Sequence, residues 1–369
     1  MSGAIACFVR ALHGGGAQRA MVRLASGLAE LGHPVTLLTL DPEGPFRHEL
    51  SPAVTLVPLR ARRLLPALPA LVQYLARQRP AVLFTTEPAC NIALIAARAL
   101  ARSPSRLVIR ESLFPSLAAR HSPHSATRVA YRLARLAYPH ADAIVALTPA
   151  MATDLARLTR LDPARISLIP LNPVVTPALL AASQAAPDHP WFADPVPVIL
   201  AVGRLDAQKD FATLLAAFEL VRARRPCRLL LYGDGPLRPA LEHQRAASRF
   251  AADIALPGFH PAPYAAMARC AAFVLSSRYE GLPNALIEAL ACGAPVVACD
   301  CPSGPREVLG DGCYGRLVPV GDAEAMAAAI RLTLDDPIDR AISSARGRQY
   351  SIAASAAQYA QVLLPGVVP

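Results

Sequence analysis

Apolar and polar positions along this chain alternate between two periods. Residues 4–9, 35–40, 81–85, 107–110, 143–147 and 166–169 are short apolar runs of strand length, and the stretches between them carry helical spacing. The first such stretch places Met21, Leu24, Ala25, Leu28 and Leu31 at i, i+3, i+4, i+7 and i+10, one face of a helix that Gly32 ends. Strands alternating with helices predict a parallel sheet covered on both faces. The pattern breaks between Pro173 and Pro197, where six prolines interrupt any periodicity, and restarts with a strand at 198–202. The helix that follows repeats the earlier spacing with Phe211, Leu214, Leu215, Phe218 and Val221, and further strands are predicted at 228–232, 254–256, 271–275 and 316–318. Ser351 is placed to cap a last helix running to Leu364. The expected organisation is an α/β domain at 1–172, a linker at 173–196, a second α/β domain at 197–348 and a terminal helix within 349–369.

The bulk numbers narrow the class. A chain of 369 residues can build two separate cores. Although 53% of it is hydrophobic, no uninterrupted apolar run reaches membrane-spanning length. Met1 to Leu12 is too short for a signal peptide and lacks a cleavage pattern, so a cytoplasmic protein is expected. The eight cysteines form no Cys-x-x-Cys pair and sit mostly in apolar runs, which predicts buried reduced thiols. Cys299 and Cys301 flank Asp300 without a second cluster, so no metal site is expected there. Charge is uneven: residues 1–180 hold 20 Arg against 9 acids, whereas residues 181–369 are nearly balanced. The basic half suits an anionic partner, nucleic acid or a membrane surface, or else serves solubility alone. With 5% aromatic residues, stacking platforms for nucleic acid are scarce, and none is expected as partner.

Candidate chemistry concentrates between Ser276 and Asp300, a strand end, turn, short helix, turn and strand. Pro283 suits the first turn of the helix and Gly293 the position past its end. The helix Asn284 to Cys292 carries one charge, Glu288, and Glu280 stands eight positions earlier in the turn. Amides at Asn284 and Ala285 then form an anion site between two carboxylates. Carboxylates accept from sugar hydroxyls and repel phosphate, so a nucleotide diphosphate sugar fits: hydroxyls at both ends, phosphate between. For either acid alone, the plainer reading of an exposed residue holds. Lys209 is the only lysine against 36 arginines, which suggests a site that needs a compact ammonium. Five residues before it, Arg204 supplies the fork that would neutralise a diphosphate jointly with it. Gly14-Gly15-Gly16 lets backbone approach a ligand, but Arg19 stands where a dinucleotide fingerprint wants a small residue. Gly233-Asp234-Gly235-Pro236 is either a tight turn or a ligand loop.

Taken together, these residues resemble the Glu-x7-Glu signature of the retaining glycosyltransferases of family 4. The resemblance covers nearly the whole chain, most tightly 198–236 and 256–322. It implies the GT-B fold: two Rossmann-like α/β domains with parallel sheets facing each other across a cleft, and a C-terminal helix crossing back to the N-terminal domain. It also implies a donor site in which Arg204 and Lys209 meet the diphosphate, Glu280 the donor sugar and Glu288 the ribose. Gly281, Leu282, Asn284 and Ala285 complete that site, with Gly233 and Gly258 in surrounding loops and Leu256 to Phe259 near the nucleobase. Arg204, Lys209 and Glu280 form the implied catalytic set. The Gly15 and Gly16 amides are expected to face the donor across the cleft, and Arg19, which matches the family's Gly-Gly-Ala-x-Arg pattern, is expected on the acceptor side. On the acceptor side Arg110-Glu111-Ser112 follows a strand where many members have a His, which this chain lacks; His121 and His124 are expected to touch solvent or acceptor phosphate. The chain has no Asp-x-Asp, and neither metal nor cofactor is expected. The implied activity is retaining transfer from a UDP- or GDP-sugar to a glycan or lipid-linked acceptor in bacterial polysaccharide or glycoconjugate synthesis. The implied place is the cytoplasm or the inner membrane face. A phosphorylase or nucleotide-sugar epimerase on the same fold is the rival reading.

Overall fold

The computed structural model describes residues 3–122 and 124–366. The chain divides into two units: the described residues of Met1–Pro173 with those of Ser351–Pro369, and Val174–Tyr350. Each is a Rossmann-like α/β domain built on one parallel sheet, the expected class.

The first unit holds seven strands: β1 (Ile5–Ala11), β2 (Val35–Asp41), β3 (Val54–Pro58), β4 (Val82–Thr86), β5 (Arg106–Arg110), β6 (Ala143–Ala146) and β7 (Ile166–Leu168). Their spatial order is β3-β2-β1-β4-β5-β6-β7, all parallel. Successive side chains point to opposite faces, so each face has its own core. Phe8, Leu38, Leu83 and Ile109 face the helices Leu64–Gln78, Pro88–Leu100 and Ser125–Ala137. Cys7, Leu37, Phe84 and Val145 face Gly16–Glu30 and the last helix, Ile352–Leu363. The unpredicted β3 is an edge strand with only Val54 buried, so it lacks the apolar run that marks the inner strands.

Ser351 caps the last helix, its side chain accepting from the Ala354 amide at 3.2 Å. Tyr359 inserts against Phe84, with ring centroids 5.5 Å apart, and Leu363 is fully buried. Gly27 makes this docking possible, because a Cβ there would stand 2.7 Å from Ile352 Cγ2 and 2.8 Å from Ala356 Cβ.

The second unit holds β8 (Val198–Val202), β9 (Arg228–Tyr232), β10 (Ile254–Gly258), β11 (Ala272–Leu275), β12 (Val296–Cys299) and β13 (Arg316–Val318), in the order β10-β9-β8-β11-β12-β13. Phe211, Leu214, Leu215, Phe218 and Val221 bury one face of the helix Phe211–Arg222 against Ile199, Leu229 and Leu231, as the spacing predicts. The proline-rich stretch expected as a linker is instead folded within this unit. Thr176 caps a helix at Pro177–Ala182, accepting from Leu179 N at 3.0 Å, and the Val174 and Val175 amides both donate to Tyr350 O at 3.0 Å. Trp191 packs under the Arg228 guanidinium, 5.3 Å from its ring centroid. Among the described residues, no helix is long and apolar enough to cross a membrane.

The contact at Gly27 gives a direct test. Gly27→Val should undock the last helix, raising amide exchange across 352–363 and costing about 2–4 kcal/mol, the range of core overpacking and lost burial. Unchanged exchange protection in that segment would show that the helix does not depend on this close approach.

Candidate functional site

In open parallel sheets, ligands bind beyond the carboxyl ends of the strands, where the strand order reverses. The second unit reverses between β8 and β11, so the loops at 203–210 and 276–283 flank that point. They are stitched to each other. Ser276 Oγ donates to Lys209 O at 2.6 Å, Arg278 N to Gln208 O at 2.8 Å, and Gln208 Nε2 to Tyr279 O at 2.9 Å. Arg278 Nε lies 3.0 Å from Asp210 Oδ2.

At the centre of this seam Lys209 Nζ sits 2.5 Å from Glu280 Oε1, with the side chains 18% and 8% exposed. Ser277 Oγ donates to the same oxygen at 2.7 Å, and Gln208 Nε2 approaches Oε2 at 3.5 Å. The carboxylate is thus held from several directions, while the ammonium has two further donors for a ligand. The Lys209 stem runs over Gly203, the neighbour of Arg204. The Arg204 side chain is 56% exposed, and Asp206 approaches it only at 3.9 Å. Arg204, Lys209 and Glu280 therefore share one loop seam, two cations beside one buried acid.

Gly233 is required by close approach. Its φ is +156°, and a Cβ there would lie 1.8 Å from Gly203 O. The Gly233 amide donates to Gly258 O at 2.8 Å, while Arg238 reaches Gly233 O at 2.9 Å and Leu256 O at 3.1 Å. Gly233 and Gly258 thus hold three strand-end loops together, which is the turn reading of the Gly-Asp-Gly-Pro segment. Phe259 then projects with 77% of its surface exposed. Beside it His260 packs on Tyr232 and lies 2.9 Å from Asp188.

The helix Asn284–Ala291 starts from Pro283, which is its cap residue rather than its first helical residue. The first intrahelical bond runs from Leu286 N to Pro283 O, so the Asn284 and Ala285 amides lie ahead of the helix's own bonding pattern. Gly281 and Leu282 are buried in the preceding turn, clasped by Ser303 Oγ on Gly281 O at 2.9 Å. Glu288, one turn into the helix, is half-buried.

The first unit reverses its strand order between β1 and β4. Gly14 and Gly15 form the exposed loop after β1 and Gly16 opens the next helix, but the Gly15 amide is already taken by Gln18 Oε1 at 3.0 Å. The Gly15 donor is thus turned to a local cap. Gln18 Nε2 in turn donates to Glu87 Oε1 at 2.8 Å, on the loop after β4. Glu87 has φ +74° and ψ 129°, a backbone region costly for any residue with a Cβ. Burial pushes its carboxyl up to about 7, against the pull of the Arg10 charge. Sequence reasoning missed this residue; the available signal was an acid at a strand end immediately before Pro88.

Two acceptor-side expectations are corrected by burial. Arg110 is 1% exposed and bonds Tyr359 OH at 2.8 Å, Thr86 Oγ1 at 3.1 Å and Asn172 Oδ1, so it anchors the last helix. Glu111 is fully buried; Tyr138 OH, Tyr131 OH and Asn91 Nδ2 all donate to it. Burial raises its carboxyl to about 7 even so. Arg19 is half-buried and paired with Glu49 at 2.7 Å, an acid shared with Arg23 at 2.6 Å. His121 and His124 are exposed.

Two family models match in succession: a glycosyl transferase 4-like domain over residues 15–172 and glycosyl transferases group 1 over residues 196–336. The chain is 32% identical over 232 residues to the N-acetylgalactosamine-N,N'-diacetylbacillosaminyl-diphospho-undecaprenol 4-alpha-N-acetylgalactosaminyltransferase of Campylobacter jejuni. That alignment covers 63% of this chain and 61% of the relative, so the chain spans under two thirds of it. The lipopolysaccharide core biosynthesis glycosyltransferase LpsE of Rhizobium meliloti is 29% identical over 348 residues, covering 91% of this chain and 90% of the relative. Among solved structures, Anabaena HepE in complex with UDP-glucose matches with TM-score 0.77 at 20% identity, over 98% of this chain and 99% of that one. The lipopolysaccharide outer core galactosyltransferase WaaB matches with TM-score 0.74 at 17% identity, over 99% and 100%. At those identities the likeness is one of fold.

The raised carboxyl of Glu87 makes stability depend on pH. Between its ordinary value of 4.5 and about 7 the folded state holds a proton that the unfolded state has lost, so its contribution to stability falls as pH rises through that window. Glu87→Gln should therefore gain on wild type by roughly 1–3 kcal/mol between pH 5 and pH 8 in denaturant unfolding. A difference that stays constant across that range would remove the shifted carboxyl from the site.

Proposed function

We propose that the chain is a GT-B glycosyltransferase, a retaining, metal-independent enzyme of family 4. It moves a sugar from a UDP- or GDP-sugar to a hydroxyl of a glycan or lipid-linked acceptor. The observation that carries this reading is the Lys209–Glu280 contact at the switch point of the second sheet, next to the exposed Arg204. The curated relatives named for lipopolysaccharide core synthesis and for a diphospho-undecaprenol substrate support an acceptor in bacterial glycoconjugate synthesis.

In this mechanism the second unit binds the donor. The Arg204 fork and the Lys209 ammonium draw the diphosphate, with the Asn284 and Ala285 amides at the helix start as additional donors. As the bond from the sugar's anomeric carbon to phosphate oxygen breaks, negative charge grows on the departing diphosphate, and these groups stabilise it. Two cations suffice for that charge, which is why no metal is invoked. Glu280 is fixed by Lys209, Ser277 and Gln208, so it serves as an oriented acceptor for donor-sugar hydroxyls rather than as a nucleophile. Glu288 accepts from the ribose hydroxyls, and exposed Phe259 offers a face for the base. The acceptor oxygen bonds to the anomeric carbon on the face the diphosphate leaves, and its proton passes to the leaving phosphate oxygen, which preserves the anomeric configuration. The acceptor is assigned to the first unit, whose loop ends carry Gly16 and Glu87.

Incubation with UDP-, GDP- and ADP-sugars should show one donor that raises the melting temperature and is converted to free nucleoside diphosphate. An epimerised nucleotide sugar or a sugar 1-phosphate would point instead to the rival enzymes on this fold. Arg204→Ala and Lys209→Met should each lower kcat/KM by about 10²–10³ with little change in melting temperature for the exposed Arg204. Near-normal turnover in either variant would falsify the mechanism. Proton NMR of the product should show the donor's anomeric configuration retained, and EDTA should leave the rate unchanged.

A further inference from the structure

The first unit carries a surface that the donor chemistry does not use. The helix Ser125–Ala137 turns Ala130, Tyr131 and Ala134 inward, where they are buried. Its outer face is apolar as well: Val129 is 49% exposed, Leu133 43% and Leu136 73%. These three stand at i, i+4 and i+7, so they form one stripe along the helix. Arg132 and Arg135 are exposed beside it, and Arg128 is half-buried, donating to Ser122 O at 2.5 Å. From Ser112 to Ala141 the chain contains no acid at all. The nearest acids on packed elements are engaged: Glu111 is fully buried, Asp154 accepts from Ser116 N at 2.7 Å, and Asp142 pairs with Arg98 at 2.9 Å.

A helix face in contact with water normally mixes both charge signs and exposes large apolar side chains singly. This face does neither. An apolar stripe flanked by arginines, on a helix too short to span a bilayer, matches the requirements of the boundary between lipid headgroups and acyl chains. The leucines enter the acyl boundary while the guanidinium groups stay among phosphates. Nucleic acid would leave the stripe unused, since the aromatic ring of this helix, Tyr131, is buried. Two copies meeting through this face would bring arginines against arginines. We propose that the outer face of the Ser125–Ala137 helix docks on an anionic phospholipid surface and is this protein's membrane contact. The inference goes beyond the transferase reading and stands without it, because lipid docking is measured with no sugar donor present.

The test is co-sedimentation of the full chain with vesicles of phosphatidylcholine alone and of phosphatidylcholine mixed with phosphatidylglycerol. The wild type should bind the mixed vesicles, bind the neutral ones at least about tenfold more weakly, and be released by salt, since surface charge attraction is screened. The double variant Leu133→Ser/Leu136→Ser should lose about tenfold or more in vesicle affinity, because it deletes buried apolar area. Arg132→Glu/Arg135→Glu should lose at least as much. Leu332→Ser, which removes a 54% exposed leucine from the other unit, serves as control and should bind as wild type. Melting temperatures of all variants identify any that fail to fold. Wild-type binding to neither vesicle, equal binding to both, or undiminished binding by the folded leucine double variant overturns the proposal. So does a concentration-dependent dimer that this variant abolishes while vesicle binding persists, which would give the stripe to a second copy.

Discussion

The second unit depends on the contact between Lys209 and Glu280. Placing two opposite charges where their side chains are 18% and 8% exposed costs desolvation on both sides, and Coulomb attraction offsets it only with good geometry and further hydrogen bonds. Here those bonds exist: Ser277 on the shared oxygen, Gln208 toward the other, and Ser276 on the Lys209 carbonyl. The pair therefore fixes two loops from different strands against each other, at the one place where the sheet order reverses. The lone lysine suits this place: an ammonium makes a point contact with one carboxylate oxygen and keeps donors for a second anion.

The same construction recurs in the first unit with a different balance. There the switch-point loops are joined by Gln18, which caps Gly15 and reaches Glu87. Among the described residues no salt bridge to this carboxylate is formed, and Arg10 acts on it through its field. Desolvation thus dominates at Glu87, whereas Glu280 is braced by Lys209, Ser277 and Gln208. An acid that charges near neutrality and an acid held by an ammonium have opposite electrostatic characters, and the two sheets place them at equivalent topological positions.

Much of this was readable in the chain. Inner strands are apolar on both faces, so β1, β2, β8 and β9 announce themselves as continuous runs, and the helix at Phe211 shows its spacing because one face is wholly buried. The edge strand β3 was not readable, since Thr55 and Pro58 are exposed and Leu56 and Val57 only half-buried. Proline counting misplaced the linker, because a Thr cap and a Pro at the first helical position start a helix at 177 as readily as they break one elsewhere. The Lys209 seam was inferable from composition and spacing combined. Glu87 was not, because its character comes from a backbone conformation and a burial that no local pattern encodes.

The misreading of Arg110 and Glu111 separates structural from functional charge more sharply than sequence can. Both are polar residues at a strand end, the usual place for chemistry, yet each is enclosed. Arg110 has three named acceptors, on β4, on the segment before the second unit and on the last helix, and Glu111 has three donors. A buried charge whose hydrogen-bonding capacity is met by its own chain has little left to offer a ligand, and removing any one partner leaves an unpaired group in the core. Arg204 and Lys209 differ in that respect: one is mostly exposed with a single distant acid, and the other has met one of three donors. Incomplete satisfaction beside a fully braced carboxylate is the physical property that separates the 203–210 and 276–284 loops from the charged core of the first sheet. That property, more than residue type, is the ground on which the proposed donor site is assigned to the second unit.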